Sequence, residues 1–408
     1  MGYKKDVIKG ISWIGILRFL TKAIGFAEAI ILARILLPEQ FGAYAVALLA
    51  LGLLEVITET GVNIVLIQEQ NVDDYVSSAW IVSIVRGVGI MLILLIGSPF
   101  IAGFFHSSQS LPLLYIIAIV PLLRGFINPA IVKFQKDLLF GRDFLYRLAI
   151  LLVDTSISLT VTLLTKSPIG IVCGLVSGVI VEVVLSYIII SPRPHLDFKK
   201  GYLHRLFHRG KWITGTSIFN YLFFNADNIV VGRLLGAGSL GIYQLAYSLS
   251  VVPLTELSNV FVHVTFPIFS KLSSDHNRLK SGFFKTMLLL SILTLPLVFV
   301  LVFLPGIFIY ILGEKWSGIV SVLPILGILG LIKTVFGSST ALFLSEKKQS
   351  YATVTSLINI LGLMIPIVPL VSHYGIVGAG TAALIGSLVA TPFYIYYIAK
   401  IFQFHKNI

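Results

Sequence analysis

The sequence predicts an all-α polytopic membrane protein, with about twelve transmembrane helices in two six-helix lobes and both termini in the cytoplasm. Three observations predict it. The chain has 408 residues, of which 57% are hydrophobic and only 12% charged, about half the charge of an ordinary soluble domain. The apolar residues gather into runs long enough to cross a bilayer core of about 30 Å. One long stretch near the start recurs in the middle of the chain.

Taken in order, the runs are 11–36, 42–67, 78–103, 111–132, 148–165, 169–190, 212–235, 241–269, 286–312, 318–344, 351–372 and 375–399. The connections are short, marked by Pro, Gly, Ser or charge, and none is large enough to fold alone. The longest, 191–211, reads SPRPHLDFKKGYLHRLFHRGK and divides the chain into a first lobe (1–190), a basic cytoplasmic linker (191–211) and a second lobe (212–408). The linker either rests on an anionic leaflet or simply sets topology.

Orientation follows from lysine and arginine, which favour the cytoplasmic side. With the N-terminus inside, 21 of the 30 basic residues fall in inside loops and tails, from Lys4, Lys5 and Lys9 to Lys400 and Lys406. The acidic QEQNVDD loop after the second span does not reverse that asymmetry. It also explains the net charge of +12 without a nucleic-acid partner. The basic start runs into a span too long for a signal peptide, so it reads as a cytoplasmic tail. Cys173 is the single cysteine. No internal disulfide and no cysteine-based metal site is available. The histidines form no HExxH pair, and no GxxxxGK[ST] loop is present, so the sequence calls for neither metal nor nucleotide. No cofactor is expected, apart from H⁺ or Na⁺ as a coupling ion.

Shifted by 199 positions, Ile11 to Ala45 aligns without gaps on Gly210 to Gln244. Trp13 falls on Trp212, Glu28 on Asp227, Arg34 on Arg233, Gly42 on Gly241 and Tyr44 on Tyr243. Six spans per half is an even number, so both halves enter the membrane in the same direction. Such repeats are related by an axis along the membrane normal, with substrate sites between them.

Chemistry is expected where spans carry charge, because an ionised group facing lipid is costly. Arg18, Lys22, Arg86, Arg124 and Lys333 lie within spans, as do Glu28, Glu55, Glu59, Asp154, Glu182, Asp227 and Glu256. At about 100° per residue, Arg18 and Lys22 share a helix face with Gly15 and Gly25. Two like charges one turn apart repel, so that face suits a cavity holding an anionic headgroup. The structural alternative is neutralisation by Glu55 or Glu59. Arg86, Arg124 and Lys333 are further candidates for that cavity, with Glu59 a partner for Arg86 or Arg124. Span seven carries a polar stripe, Thr216, Asn220 and Asp227, beside Ser217, Asn225 and Asn228. It suits sugar hydroxyls or a cation. Glu28 and Asp227, related by the repeat, form either a proton or Na⁺ site or a brace through Arg34 and Arg233. Glu55 and Glu59, one turn apart, suit a proton carrier. Pro253, Pro267, Pro296, Pro324, Pro366 and Pro369 predict kinked helices in the second half.

The stretch ILARILLPEQFGAYAVA (31–47) and its counterpart GKWITGTSIFNYLFFNADNIVVGRLLGAGSLGIYQLAYSLSVVP (210–253), followed by FPIFSKLSSD (266–275), resemble the polysaccharide-export branch of the multidrug/oligosaccharidyl-lipid/polysaccharide flippase superfamily. Members of this branch are Wzx-like O-antigen and exopolysaccharide lipid flippases. The resemblance runs through all twelve spans and is strongest at 9–68 and 205–280. It implies two six-helix lobes in a V around a cationic cavity. It also implies a polyprenyl-diphosphate-linked oligosaccharide passing from the cytoplasmic to the outer leaflet by alternating access. Arg18 and Lys22 occupy the region where related lipid-diphosphate flippases carry cavity cations. Membrane lipids, a polymerase and glycosyltransferases of the same pathway are the implied partners, and nucleic acid is not. The rival readings are an ion-coupled multidrug or metabolite antiporter on the same fold, which predicts an acidic cavity, and a membrane polysaccharide polymerase or ligase. Such an enzyme needs a larger outer loop than this chain has.

Overall fold

The computed structural model describes residues 2–58, 66–67, 71–197, 217, 221–222 and 224–404. Its chain divides into two compact units, Met1–Asn225 with Gly236–Gly238, and Ala226–Leu235 with Ser239–Ile408.

The first unit begins with α1 (Gly2–Ile35), in which no proline interrupts the backbone ladder. The helix stops before Leu37, which is extended at φ −83°, ψ 157°. α2 (Pro38–Ile57) then starts on a proline, whose missing N–H costs nothing in the first turn. The Leu37 N–H donates to Gln40 Oε1 at 2.9 Å, supplying one orphan donor with an acceptor. α3 (Asp73–Phe104) opens on Asp73 and Asp74, where the helix dipole favours negative charge. The expected span 111–132 is broken. It forms α4 (Ser110–Ile117), α5 (Ile119–Gly125), a 3₁₀ turn (Pro129–Val132) and α6 (Lys133–Lys136), with a 73° bend between 110–125 and 129–136. Asn128 drives the bend: its Oδ1 accepts from the Ala130 N–H at 3.0 Å, just ahead of Pro129.

α7 (Phe140–Thr165) and α8 (Ile169–Ile189) form an antiparallel pair. Gly170, Gly174 and Gly178, one turn apart on α8, face Thr162, Ser158 and Asp154 on α7. A Cβ at Gly174 would lie 2.6 Å from both the Asp154 carbonyl oxygen and Ser158 Cβ. Small residues permit this backbone approach, which is how helices gain contact inside a membrane. α1 lies along α7 in parallel. Trp13 meets Phe144 near one end (ring centroids 4.8 Å apart), and Glu28 meets Thr155 further along. Residues 191–197 are tied to this unit through Lys133 Nζ to the Ser191 carbonyl (2.9 Å), Asn128 Nδ2 to the Pro192 carbonyl (3.0 Å) and the His195 N–H to Ser77 Oγ (3.2 Å). The rest of the expected linker, 198–211, lies outside the described residues.

The second unit contains α9 (Ala226–Leu272), α10 (His276–Phe303), α11 (Gly306–Leu312), a 3₁₀ stretch (Glu314–Ser321), α12 (Leu323–Gly337), α13 (Ser339–Ser345) and α14 (Gln349–Phe404). α9 and α14 are each hairpins of two arms. They reverse at Gly236 (φ 79°) and Gly375 (φ 60°). In α14 the arms meet at Gly362 and Gly386, and Asn359 Nδ2 donates to Ser387 Oγ at 3.2 Å. The sharp breaks thus fall on glycines, not on the prolines the sequence had pointed to. Proline holds φ near −65° and cannot supply a positive φ. Pro253, Pro267, Pro296, Pro366 and Pro369 sit inside continuous helix, and Pro324 lies in the first turn of α12. Gly236 aligns by the internal repeat with Leu37, so both copies put a reversal at the same register.

Eight described helices are long and apolar enough to cross a membrane, nine when the bent pair at 110–136 counts as one span. The protein is an all-α, multi-pass membrane protein.

Candidate functional site

α1 presents two faces. Trp13, Leu17, Leu20, Ile24 and Glu28 recur every three or four residues and are all half-buried. Through Trp13 and Glu28 this side meets α7. The opposite side carries Gly15, Arg18, Phe19, Lys22 and Phe26. Lys22 is exposed, Arg18 half-buried, and a Cβ at Gly15 or Gly25 would meet nothing within 4 Å. Among the described residues, neither cation has an ion pair or a side-chain hydrogen bond to the protein.

Glu55, one alternative partner for those cations, is engaged elsewhere. Its Oε1 accepts from Arg124 Nη1 at 2.6 Å. Arg86 joins the same place: Nη2 donates to the Glu55 carbonyl at 2.6 Å and Nε to Thr58 Oγ1 at 3.0 Å. Two arginines from α3 and α5 therefore converge on the last turn of α2, where helix carbonyls lack partners. Arg124 thus takes Glu55 as a partner; Glu59, expected to pair with Arg86 or Arg124, lies outside the described residues, as do Asn220 and Thr216. Nearby, Tyr221 reaches α2 and donates from its hydroxyl to the Leu49 carbonyl at 2.8 Å. Gly52 leaves room for that ring.

Glu28 Oε2 lies 3.4 Å from Thr155 Oγ1, the donor. Asp154, the neighbour of Thr155 on α7, is within electrostatic range of both Glu28 and Arg124. Tyr44 on α2 is within range of the same two acids, Asp154 and Glu28. Asp154 and Glu182 read in the sequence only as acids within spans; their place in this polar interior depends on helix packing.

In the second unit, Asp227 is buried and Oδ2 accepts from the Tyr243 hydroxyl at 2.8 Å. Its Oδ1 accepts from the Asn228 N–H at 2.9 Å. Tyr243 is the repeat counterpart of Tyr44, and Asp227 that of Glu28. The repeat thus sets a tyrosine within electrostatic range of an acid across a helical reversal in each copy, and in the second copy the two are hydrogen-bonded. This pairing occupies the Asp227 carboxylate. Arg34 and Arg233 themselves are exposed. Lys333, from α12, donates to the Tyr247 hydroxyl at 3.3 Å and lies 5.7 Å from that ring's centroid.

Residues 31–321 match the model of a family described as polysaccharide biosynthesis protein. The lipopolysaccharide biosynthesis protein WzxC of Escherichia coli (strain K12) is 25% identical over 368 residues, covering 85% of this chain and 72% of that protein. Two solved structures share the fold. An inward-facing multidrug resistance MATE family transporter of the MOP superfamily has a TM-score of 0.72 at 15% identity, covering 97% of this chain and 99% of its own. The lipid II flippase MurJ, in an inward closed conformation, has a TM-score of 0.69 at 16% identity, covering 95% and 88%. The Asp227–Tyr243 pair and the helical reversals at Leu37 and Gly236 lie within the matched region, and the chain belongs to the polysaccharide biosynthesis protein family of multi-pass membrane proteins.

Proposed function

We propose that this protein is a flippase that moves a lipid-diphosphate-linked oligosaccharide, a polysaccharide repeat unit, from the cytoplasmic to the outer leaflet of the cell membrane by alternating access. The observation that carries this reading is the α1 face with Arg18 and Lys22. Two cations one turn apart, with no protein anion on either among the described residues, call for an external anion or water. A diphosphate supplies several acceptor oxygens that match a guanidinium and an ammonium. Arg124, committed to Glu55 yet still 39% exposed at its side chain, and Arg86 extend the positive region on other helices. Glu28, Glu55, Glu59, Asn220 and Asp227 remain the candidates for sugar contact or for H⁺ or Na⁺ coupling. The kinship with WzxC and the shared fold of a lipid II flippase support the substrate class. The membrane lipids, the polymerase and the glycosyltransferases of the pathway are the partners, and the protein is a transporter, not an enzyme. Both termini are assigned to the cytoplasm on the distribution of basic residues.

The test is flipping of a fluorescent polyprenyl-diphosphate oligosaccharide in liposomes. Arg18→Ala and Lys22→Ala are each expected to slow it about tenfold, the effect of one lost charge-assisted contact of about 1.4 kcal/mol or more. Undiminished flipping in both removes the α1 face from the site. A second reading, an ion-coupled antiporter for organic cations, draws on the acids Glu28 and Asp154 in the first unit. It predicts transport of a cationic dye that Arg18→Ala leaves intact.

A further inference from the structure

The two copies of the acid–tyrosine pair differ in what balances their charge. In the first unit, Glu28 and Tyr44 have a second acid, Asp154, within range. In the second unit, Asp227 and Tyr243 have a cation instead, Lys333. Asp227 and Tyr243 are 6% and 0% exposed, so water does not solvate the carboxylate freely. A buried carboxylate needs a compensating positive charge, either a diffusible ion or one carried by the protein.

We propose that the Lys333 ammonium is a tethered counter-ion for Asp227, built into α12, which fills the role an exchangeable Na⁺ or proton would otherwise play at this acid. The path between them is lined by the two tyrosines. Tyr243 donates to Asp227 at 2.8 Å and Lys333 to Tyr247 at 3.3 Å. The tyrosine rings, one helical turn apart on α9, have centroids 6.3 Å from each other. Among the described residues, Tyr394 of α14 is the remaining titratable group within electrostatic range of Lys333. Two consequences follow. Lys333 serves the second unit internally and is not a headgroup cation. Asp227 then leaves the candidates for sodium coupling, and Glu28, Glu55 and Glu59 keep that role. This inference stands apart from the flippase reading, since it concerns the folded protein without substrate.

The experiment is thermal unfolding of the purified full-length protein in detergent, with sodium chloride compared against choline chloride at fixed pH and ionic strength. Wild type is expected to melt at the same temperature in both salts. Lys333→Ala is expected to melt several degrees lower in choline and to regain part of that loss in sodium, because a ligand that binds only the folded state raises its stability. The double variant Lys333→Ala, Asp227→Asn is expected to melt above Lys333→Ala in choline and to ignore sodium. Lys333→Gln keeps a hydrogen-bond donor for Tyr247 without the charge, and it replaces Lys333→Ala in both the single and double variants if the alanine protein does not fold. The proposal is overturned if wild type gains stability from sodium and Asp227→Asn abolishes that gain. It is equally overturned if the double variant is no more stable than the Lys333 single variant.

Discussion

Replacing Gly174 with alanine tests the packing that brings Asp154 into the interior of the first unit. The new Cβ would sit 2.6 Å from the Asp154 carbonyl oxygen and from Ser158 Cβ, whereas ordinary contact begins at 3.4 Å. α7 and α8 must therefore part locally by about 0.8 Å, and the obstacle includes backbone, which cannot rotate away. Overpacking of this kind costs about 1–3 kcal/mol. Alanine is also the better helix former, by about 0.5–1 kcal/mol. The net expectation is a loss of about 0.5–2 kcal/mol. Gly89 in α3 provides the internal control, because a Cβ there meets nothing within 4 Å. Gly89→Ala should keep only the propensity gain and come out at or above wild type. Denaturant titration of both variants in the same micelles, followed by tryptophan fluorescence, measures the difference. If Gly174→Ala proves as stable as Gly89→Ala, the close approach of α7 and α8 is wrong, and so is the placement of Asp154 beside Glu28.

Two further outcomes can be stated briefly. A double-mutant cycle with Glu55→Gln and Arg124→Met should give a coupling of about 1–2 kcal/mol, a charged hydrogen bond discounted for the partial exposure of both side chains; a coupling near zero refutes the pairing. Gly375→Ala should lose about 1–3 kcal/mol of stability, although its Cβ would touch only Leu235 Cδ1 at 3.9 Å. The strain there belongs to the positive φ, so a neutral result in the unfolding titration contradicts the reversal at that residue.

Several features were legible in the sequence because they depend on local chemistry. Low charge and long apolar runs suffice to place the chain in a membrane, since lipid leaves backbone groups no partner outside a helix or closed barrel. The repeat at 199 residues marked where each half reverses. Leu37 and Gly236, aligned there, both leave helical geometry between two helical arms, Leu37 as extended backbone and Gly236 at positive φ. Helical period also put Arg18 and Lys22 on one face of α1 with Gly15 and Gly25, and Glu28 to one side of it.

Partner choice belonged to the tertiary structure. Period fixes which face a residue occupies but not which helix lies against that face. Arg124 meets Glu55 across 69 positions and Lys333 meets Tyr247 across 86. Nothing in spacing distinguishes Glu55 from Glu59 as a partner. Lateral order is set by surface shape, as where three glycines of α8 admit Thr162, Ser158 and Asp154 of α7. The sites of sharp bending were likewise decided in three dimensions. A proline in an apolar helix can be absorbed by its neighbours, whereas the reversals inside α9 and α14 use a positive φ, which glycine provides. By itself, the sequence determined that this is a multi-pass helical protein of repeated halves with charge inside its spans. Helix packing decided that Glu55 pairs with Arg124, and among the described residues it left Arg18 and Lys22 without an ion pair.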